Sequence, residues 1–120
     1  MVGFEKLEVW KESCRLATDI YNALKDCRDN GLRDQMQRSA VSIPSNIAEG
    51  AERQSKKEFV KFLYIAKGSS AEPRTQLYIA GKIGVVPLEI SNNLTKHCKQ
   101  VSSQLQKLIS SLADQQRLNP

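Results

Sequence analysis

The adjacent residues His97 and Cys98 carry the side chains best suited to catalysis, an imidazole base and a thiol nucleophile. Neighbouring residues of a helix point about 100° apart, so these two side chains would not face each other. Cys98 also falls in a repeating apolar pattern, which predicts a buried thiol beside a solvent-facing histidine. The chain has no Gly-rich phosphate loop, G-x-S-x-G or H-E-x-x-H motif. We therefore expect a binding or assembling protein and not an enzyme.

Metal and cofactor sites are not expected either. A di-iron helical bundle needs Glu-x-x-His pairs, but Leu94 stands three residues before the only histidine. The three cysteines (Cys14, Cys27 and Cys98) have no C-x-x-C spacing, which argues against zinc and against a disulfide framework. No apolar run approaches the roughly 18 residues that cross a bilayer. These features predict a cytoplasmic protein with reduced thiols, no cofactor and no membrane partner.

Basic residues offer a different chemistry, the binding of polyanions. Lys and Arg outnumber Asp and Glu by 18 to 13, a net charge of +5. Six of them cluster before and along the polar side of the third predicted helix: Arg53, Lys56, Lys57, Lys67, Arg74 and Lys82. Lys67 and Arg74 are seven residues apart and share a face, with Lys56 on nearly the same line. The stripe could follow an RNA phosphate backbone, or it could be a solvated face diluted by nearby glutamates.

Three isoleucines form a second apolar face on the same helix: Ile65, Ile79 and Ile83. They lie roughly 100° to 140° around the helical wheel from the core residues. Such residues could pack against the flanks of neighbouring helices or against another subunit. The pattern alone does not decide between an intramolecular contact and an oligomer interface.

Four amphipathic helices must position these residues. Apolar side chains at helical spacing predict helices over residues 6–28, 32–52, 55–83 and 88–114. The sequence from Asp29 to Gly31 predicts the first turn, and Ser55 with Glu58 forms a capping box. Helices of similar length with short connections favour an all-α, antiparallel up-down-up-down four-helix bundle, as a single domain covering residues 1–120. The predicted core stripe of the first helix is Leu7, Trp10, Cys14, Ala17, Tyr21 and Leu24.

Two prolines fall inside the predicted helices. Pro44 predicts a kink in the second helix and not a division into two helices. Pro73 lacks the N–H that a helix interior uses, a cost of about 3 kcal/mol, and should bend the third helix around Ser69 and Ser70. A stripe of small or polar residues on the second helix would let a neighbouring backbone approach closely: Ser39, Ser42, Asn46 and Gly50. In that position Asn46 would need a buried hydrogen-bond partner.

The most recognisable string overlaps this stripe: Ser42, Ile43, Pro44, Ser45, Asn46, Ile47, Ala48, Glu49 and Gly50. Together with residues 59–69 it resembles the four-helix-bundle family named for intervening sequences of bacterial 23S rRNA genes, also described as S23 ribosomal proteins. The likeness extends from Phe4 to Ala80, most of the chain. The chain departs from the family at Pro73, where the family usually has a leucine-rich, proline-free helix.

The resemblance implies the same bundle fold and a ring-shaped homo-oligomer, typically a pentamer, which would place Ile65, Ile79 and Ile83 at an interface. The family is also similar in shape to the accessory variability determinant of diversity-generating retroelements, a basic pentameric bundle that works with a reverse transcriptase and RNA. We therefore expect a homo-oligomer that binds structured RNA. The alternative is a protein–protein scaffold or accessory subunit, including one that serves such a reverse transcriptase.

Overall fold

In the computed structural model, which describes residues 3–118, the chain is all-helical, with no strand in that range. A short 3-10 turn precedes five helices: Phe4–Lys6, then α1 Glu8–Ala23, α2 Asn30–Ala51, α3 Lys56–Ser69, α4 Ala71–Lys82 and α5 Leu88–Leu118. Helices α3 and α4 follow one another with a single residue between them and occupy the place of one predicted helix. None of the helices described combines the length and apolarity needed to cross a membrane.

The helices pack as sequential neighbours. Helix α1 contacts α2 and α5, and both of these contact the rod formed by α3 and α4. Within residues 3–118, α1 makes no contact with α3 or α4, which therefore lie diagonally opposite across the core. The molecule measures 50 × 20 × 19 Å, a rod about as long as the 31-residue helix α5. The predicted up-down-up-down four-helix bundle is confirmed.

The core runs along the bundle axis and contains side chains from every helix. Its largest fully buried members include Leu16, Ile20, Met36, Ile43, Ile47, Leu63, Leu77 and Leu105. The apolar spacing of the second helix (Leu32, Met36, Ala40, Ile43 and Ile47) and of the fourth (Leu94, Cys98, Val101, Leu105, Leu108 and Leu112) predicts core stripes, which are confirmed apart from half-buried Leu32 and Leu108. Burying a side chain of this size contributes about 1.5–3 kcal/mol before chain entropy is counted. These stripes fix the rotation of each helix, and thereby the residues that reach the surface.

The predicted stripe of α1 is only partly confirmed, because Ala17 and Leu24 are buried but its other members are not. Tyr21 is 45% exposed and Trp10 is half-buried, whereas Val9, Leu16 and Ile20 face the core. The true stripe passes through Ser13, which is fully buried and donates its hydroxyl to the Trp10 carbonyl oxygen at 2.9 Å. Ser13 interrupts the apolar spacing of the true stripe. The stripe one position further along, through Trp10, Cys14 and Tyr21, therefore matches an apolar helical face better.

The first connection also differs from its prediction. Helix α1 ends at Ala23 and not at residue 28, while α2 begins at Asn30. The Asp29 carboxylate accepts a hydrogen bond from the Leu32 amide at 3.0 Å, which caps α2. Because this cap satisfies a free N–H at the helix start, Asn30 and Gly31 enter the first helical turn instead of forming the predicted turn.

The predicted third helix, residues 55–83, is interrupted at Ser70, within the predicted bend. Pro73 is buried and lies in the first turn of α4, where a backbone N–H is not required. The Ser70 hydroxyl makes no cap and donates to the Lys67 carbonyl oxygen at 2.6 Å. The Ser55 half of the predicted capping box is confirmed at the start of α3, since the Glu58 amide donates to Ser55 Oγ at 3.1 Å. Helix α2, by contrast, continues unbroken through buried Pro44.

The small-residue stripe of α2 brings α3 close at one point. A Cβ atom added at Gly50 would lie 2.5 Å from Phe62 Cβ and 3.3 Å from the Phe59 carbonyl oxygen. Half-buried Asn46 finds its partner within its own helix and donates to the Ser42 carbonyl oxygen at 2.8 Å. The close approach is therefore confirmed at Gly50, whereas the predicted partner of Asn46 comes from no neighbouring helix.

Candidate nucleic-acid interface

The net charge is distributed unevenly along the chain. Residues 1–52 contain seven Lys and Arg against nine Asp and Glu, whereas residues 53–120 contain eleven against four. The first part therefore carries a net charge of −2 and the second part a net charge of +7. Because α3, α4 and α5 all belong to the second part and pack together, the positive charge concentrates on one side of the bundle.

The two parts also differ in how their charges are paired. In the first part, Lys11 lies 3.6 Å from Glu8 and Arg33 lies 3.6 Å from Asp34. Within the described chain, no lysine or arginine between residues 56 and 113 has a carboxylate within 4.0 Å. Helix α5 has no acidic residue between Glu89 and Asp114. The cations between residues 56 and 113 are thus available to an external anion, whereas Arg53 and Arg117 are paired with carboxylates.

Three of the six predicted phosphate-contacting residues lie on the flank of the α3–α4 rod that faces α5. Arg74 and Lys82 are exposed there. Lys67 is half-buried and its ammonium donates to Gln106 Oε1 on α5 at 2.5 Å. The expectation that Lys67 lies wholly on the solvent side is therefore wrong, because it is the bridging residue between α3 and α5. We call this line of cations, Lys67, Arg74 and Lys82 together with Lys99 of the facing helix α5, the basic seam.

The remaining three predicted residues lie towards the start of α3. The Arg53 guanidinium lies 2.8 Å from Glu49 Oε1 and 4.9 Å from the centre of the Phe62 ring, so it is held against α2 and already paired. Lys56 and Lys57 are exposed in the first turn of α3. By helical spacing Lys56 continues the row of Lys67, while Lys57 points about 100° away. The six residues do not form one cluster.

A groove between α4 and α5 extends the basic surface. It has a volume of about 430 Å³ and is lined by Arg74, Thr75, Tyr78, Thr95 and Lys99. No pattern in the sequence identifies Tyr78, Thr95 or Lys99 as site residues. The absence of acidic residues from most of α5 indicates a basic surface there. The apolar spacing of α5, however, predicts only its core residues and not those that face α4.

The isoleucines lie on the opposite flank of the rod. Ile65, Ile79 and Ile83 are between 42% and 59% exposed, so the bundle's own helices leave about half of each residue's surface uncovered. Helical spacing puts Ile83 on the side of Gln76, whose Oε1 accepts a 2.6 Å hydrogen bond from Ser39 of α2. The rod therefore carries an apolar flank towards α2 and a basic flank towards α5.

The candidate catalytic pair is separated by the fold. Cys98 is fully buried, and its burial raises the thiol pKa to about 11, which keeps the sulfur protonated at neutral pH. His97 is half-buried, and its Nε2 lies 2.8 Å from Glu12 Oε2 on α1, so the expected solvent-facing histidine is wrong. The hydrogen bond from His97 is the main cause that lowers the Glu12 pKa. Within residues 3–118, no three His, Cys, Asp or Glu side chains converge on a possible metal position.

Comparison with known proteins gives a family and a fold. The family described as "23S rRNA-intervening sequence protein" has a model that matches residues 5–107. A crystal structure of a protein with unknown function from the S23 ribosomal protein family of Bacteroides thetaiotaomicron is similar, with 24% identity and a TM-score of 0.77. The match covers 84% of this chain and 97% of that one, and supports the bundle fold. No curated protein sequence matches this chain.

Proposed function

This chain belongs to the 23S rRNA-intervening sequence protein family, and we propose that it is a non-catalytic, homo-oligomeric bundle that binds structured RNA. The RNA contacts the surface formed by α3, α4 and α5. The observation that carries the proposal is the excess of eleven cations over four carboxylates in residues 53–120. We propose a cytoplasmic location, because structured RNA is found there and the three free cysteines would stay reduced there.

Unpaired cations favour a polyanionic ligand for a physical reason. A lysine or arginine already held by a carboxylate must break that contact before it can bind a phosphate, whereas the seam cations have no such contact within the described chain. Each phosphate they neutralise releases condensed counterions from the RNA, which drives binding at low salt. The row from Lys56 to Lys82 extends about 39 Å along the rod, long enough for several phosphates.

Self-association uses the other flank of the same rod. Exposed isoleucines on the α2 side gain by burial against a second copy, and this leaves the basic flank outward. A ring of subunits would then repeat the basic seam at each position. Repetition converts weak single-site contacts into a tight multivalent one, because later contacts form at high effective concentration. The family resemblance favours five subunits.

The RNA proposal is tested by fluorescence anisotropy with labelled RNA at increasing salt. We expect a log–log slope of about −0.7 per contacted phosphate for single strands and about −0.9 for a duplex. Reversing Lys67 and Arg74 to glutamate should reduce both affinity and slope while the oligomer mass stays constant. Absence of binding at about 50 mM salt would refute the proposal. Recovery of one protein partner and no RNA in a pull-down would favour the scaffold or reverse-transcriptase accessory alternative.

The assembly proposal is tested by light scattering. At micromolar concentration the mass should be several times 13.5 kDa, and about five times that value by the family resemblance. Ile79→Asp or Ile83→Asp should lower the mass while circular dichroism shows unchanged helicity, since both side chains are exposed in the subunit. Val41→Asp, at an exposed apolar position on α2, is the matched control. A monomeric wild-type protein would contradict the proposal.

A further inference from the structure

The α4–α5 groove combines an aromatic ring with two cations. We infer that it is a subsite for one unpaired nucleotide of single-stranded RNA, whose base stacks on Tyr78 while its phosphates contact Arg74 and Lys99. This inference rests on the proposed RNA binding and specifies which form of RNA the groove takes. Its volume of about 430 Å³ lies within the roughly 300–1,000 Å³ typical of small-ligand sites.

Tyr78 is placed to stack. Its side chain is 64% exposed, the highest value among the large apolar and aromatic side chains that reach the surface of the described chain. Arg74 lies four residues before it and Lys82 four residues after it, so all three share one row of α4. The Lys82 ammonium lies over one face of the ring, 5.5 Å from its centre, so the base stacks on the other face and the cation stays within reach of its phosphate.

The groove walls complement a ribose. Thr75 Oγ1 donates to the Ala71 carbonyl oxygen at 2.9 Å, and Thr95 Oγ1 donates to the Ser91 carbonyl oxygen at 2.8 Å. With these protons engaged, both oxygens can only accept further hydrogen bonds. A ribose 2′-hydroxyl or a base amino group is a suitable donor, whereas a phosphate is not. Phosphates are left to Arg74 and Lys99 at the same groove.

An unpaired nucleotide satisfies this set of groups better than a duplex does. In a duplex the base faces are already stacked on each other, so a tyrosine ring on a helix surface cannot reach them. Stacking of a free base on an aromatic side chain contributes about 1–3 kcal/mol, and it needs no particular base. An acidic peptide has carboxylates for the cations and backbone N–H donors for the threonine oxygens, but its carboxylate side chains offer no planar face to stack on the exposed ring.

The test compares two fluorescein-labelled RNA probes of equal length, a 12-nucleotide single strand of mixed sequence and a 12-base-pair duplex. We expect Tyr78→Ala to weaken single-strand binding about 5- to 150-fold and to leave duplex binding unchanged, while Tyr78→Phe restores it. Tyr21→Ala removes a similar exposed ring from α1 and should change neither affinity. Light scattering on each variant checks that the assembly is intact. Ultraviolet crosslinking to the single strand should label the tryptic peptide that spans residues 75–82, which contains Tyr78.

The outcomes separate this inference from the proposed function. If the wild type binds neither probe, both fail. If Lys67→Glu with Arg74→Glu weakens binding but Tyr78→Ala does not, the seam binds RNA and the stacking subsite is wrong. Equal loss for single strand and duplex, or no rescue by Tyr78→Phe, would likewise overturn the inference, because the ring would then act only through general contacts.

Discussion

The string from Ser42 to Gly50 and the groove between α4 and α5 are opposite in character. The string is the most recognisable part of the sequence, yet Ile43, Pro44 and Ile47 face the core and Gly50 accommodates α3. The groove matches no motif, yet it holds unpaired cations and an exposed aromatic ring. The difference teaches that the recognisable string records a packing constraint, while the chemistry available to a ligand lies on helices that the string does not include.

Substitution of Gly50 has the largest expected effect on stability. It tests whether the string from Ser42 to Gly50 serves packing. Gly50→Ala places a Cβ atom 2.5 Å from Phe62 Cβ, so α2 and α3 must move apart. We expect the free energy of unfolding to fall by about 2 kcal/mol or more in urea titrations. Gly68→Ala is the matched control, because its Cβ would meet nothing within 4 Å and should stabilise the helix by about 0.5–1 kcal/mol. Equal effects at the two glycines would contradict the packing role of the string.

A smaller effect is expected at Pro73, beside the seam. Since Pro73 occupies the first turn of α4, it costs no helical hydrogen bond there and restricts the unfolded chain. Pro73→Ala should therefore lower the free energy of unfolding by about 1 kcal/mol, which thermal unfolding would detect. A rise in stability would show instead that the proline imposes the break at Ser70, as a proline in a helix interior would.

The smallest expected effect concerns the contact between the two parts of the chain through Glu12 and His97. The hydrogen bond from His97 holds the Glu12 pKa below its ordinary value of 4.5. A carboxyl with a depressed folded-state pKa stabilises the fold above its unfolded pKa, and this contribution is lost as the pH falls through the folded value. Urea unfolding between about pH 5 and pH 3 should show a steeper loss for wild type than for Glu12→Gln. Parallel curves would contradict a stabilising role for the pair.

Apolar spacing predicted the bundle because buried apolar residues recur at helical spacing on α2 from Met36 to Ile47 and on α5 from Leu94 to Leu112. It was only partly right on α1, where Ala17 and Leu24 are core residues as predicted but buried Ser13 broke the pattern and shifted the predicted stripe towards Tyr21. Spacing also placed Lys67 and Arg74 on a common face, but it could not identify the neighbouring helix. The groove residues Tyr78 and Lys99 are 21 positions apart, and only the packing of α4 against α5 brings them together.

The central claim is that RNA binds the basic seam and not the α1–α2 side of the bundle. It is tested most directly by two charge reversals of equal size, Arg74→Glu with Lys99→Glu, and Lys25→Glu with Arg28→Glu, all at exposed positions. The affinity for single-stranded RNA is measured as a function of salt. The account predicts that the first variant loses affinity and that its log–log slope falls by about 1.4, two phosphate contacts, while the second stays close to wild type. Equal losses in the two variants, or a larger loss in the second, would contradict it.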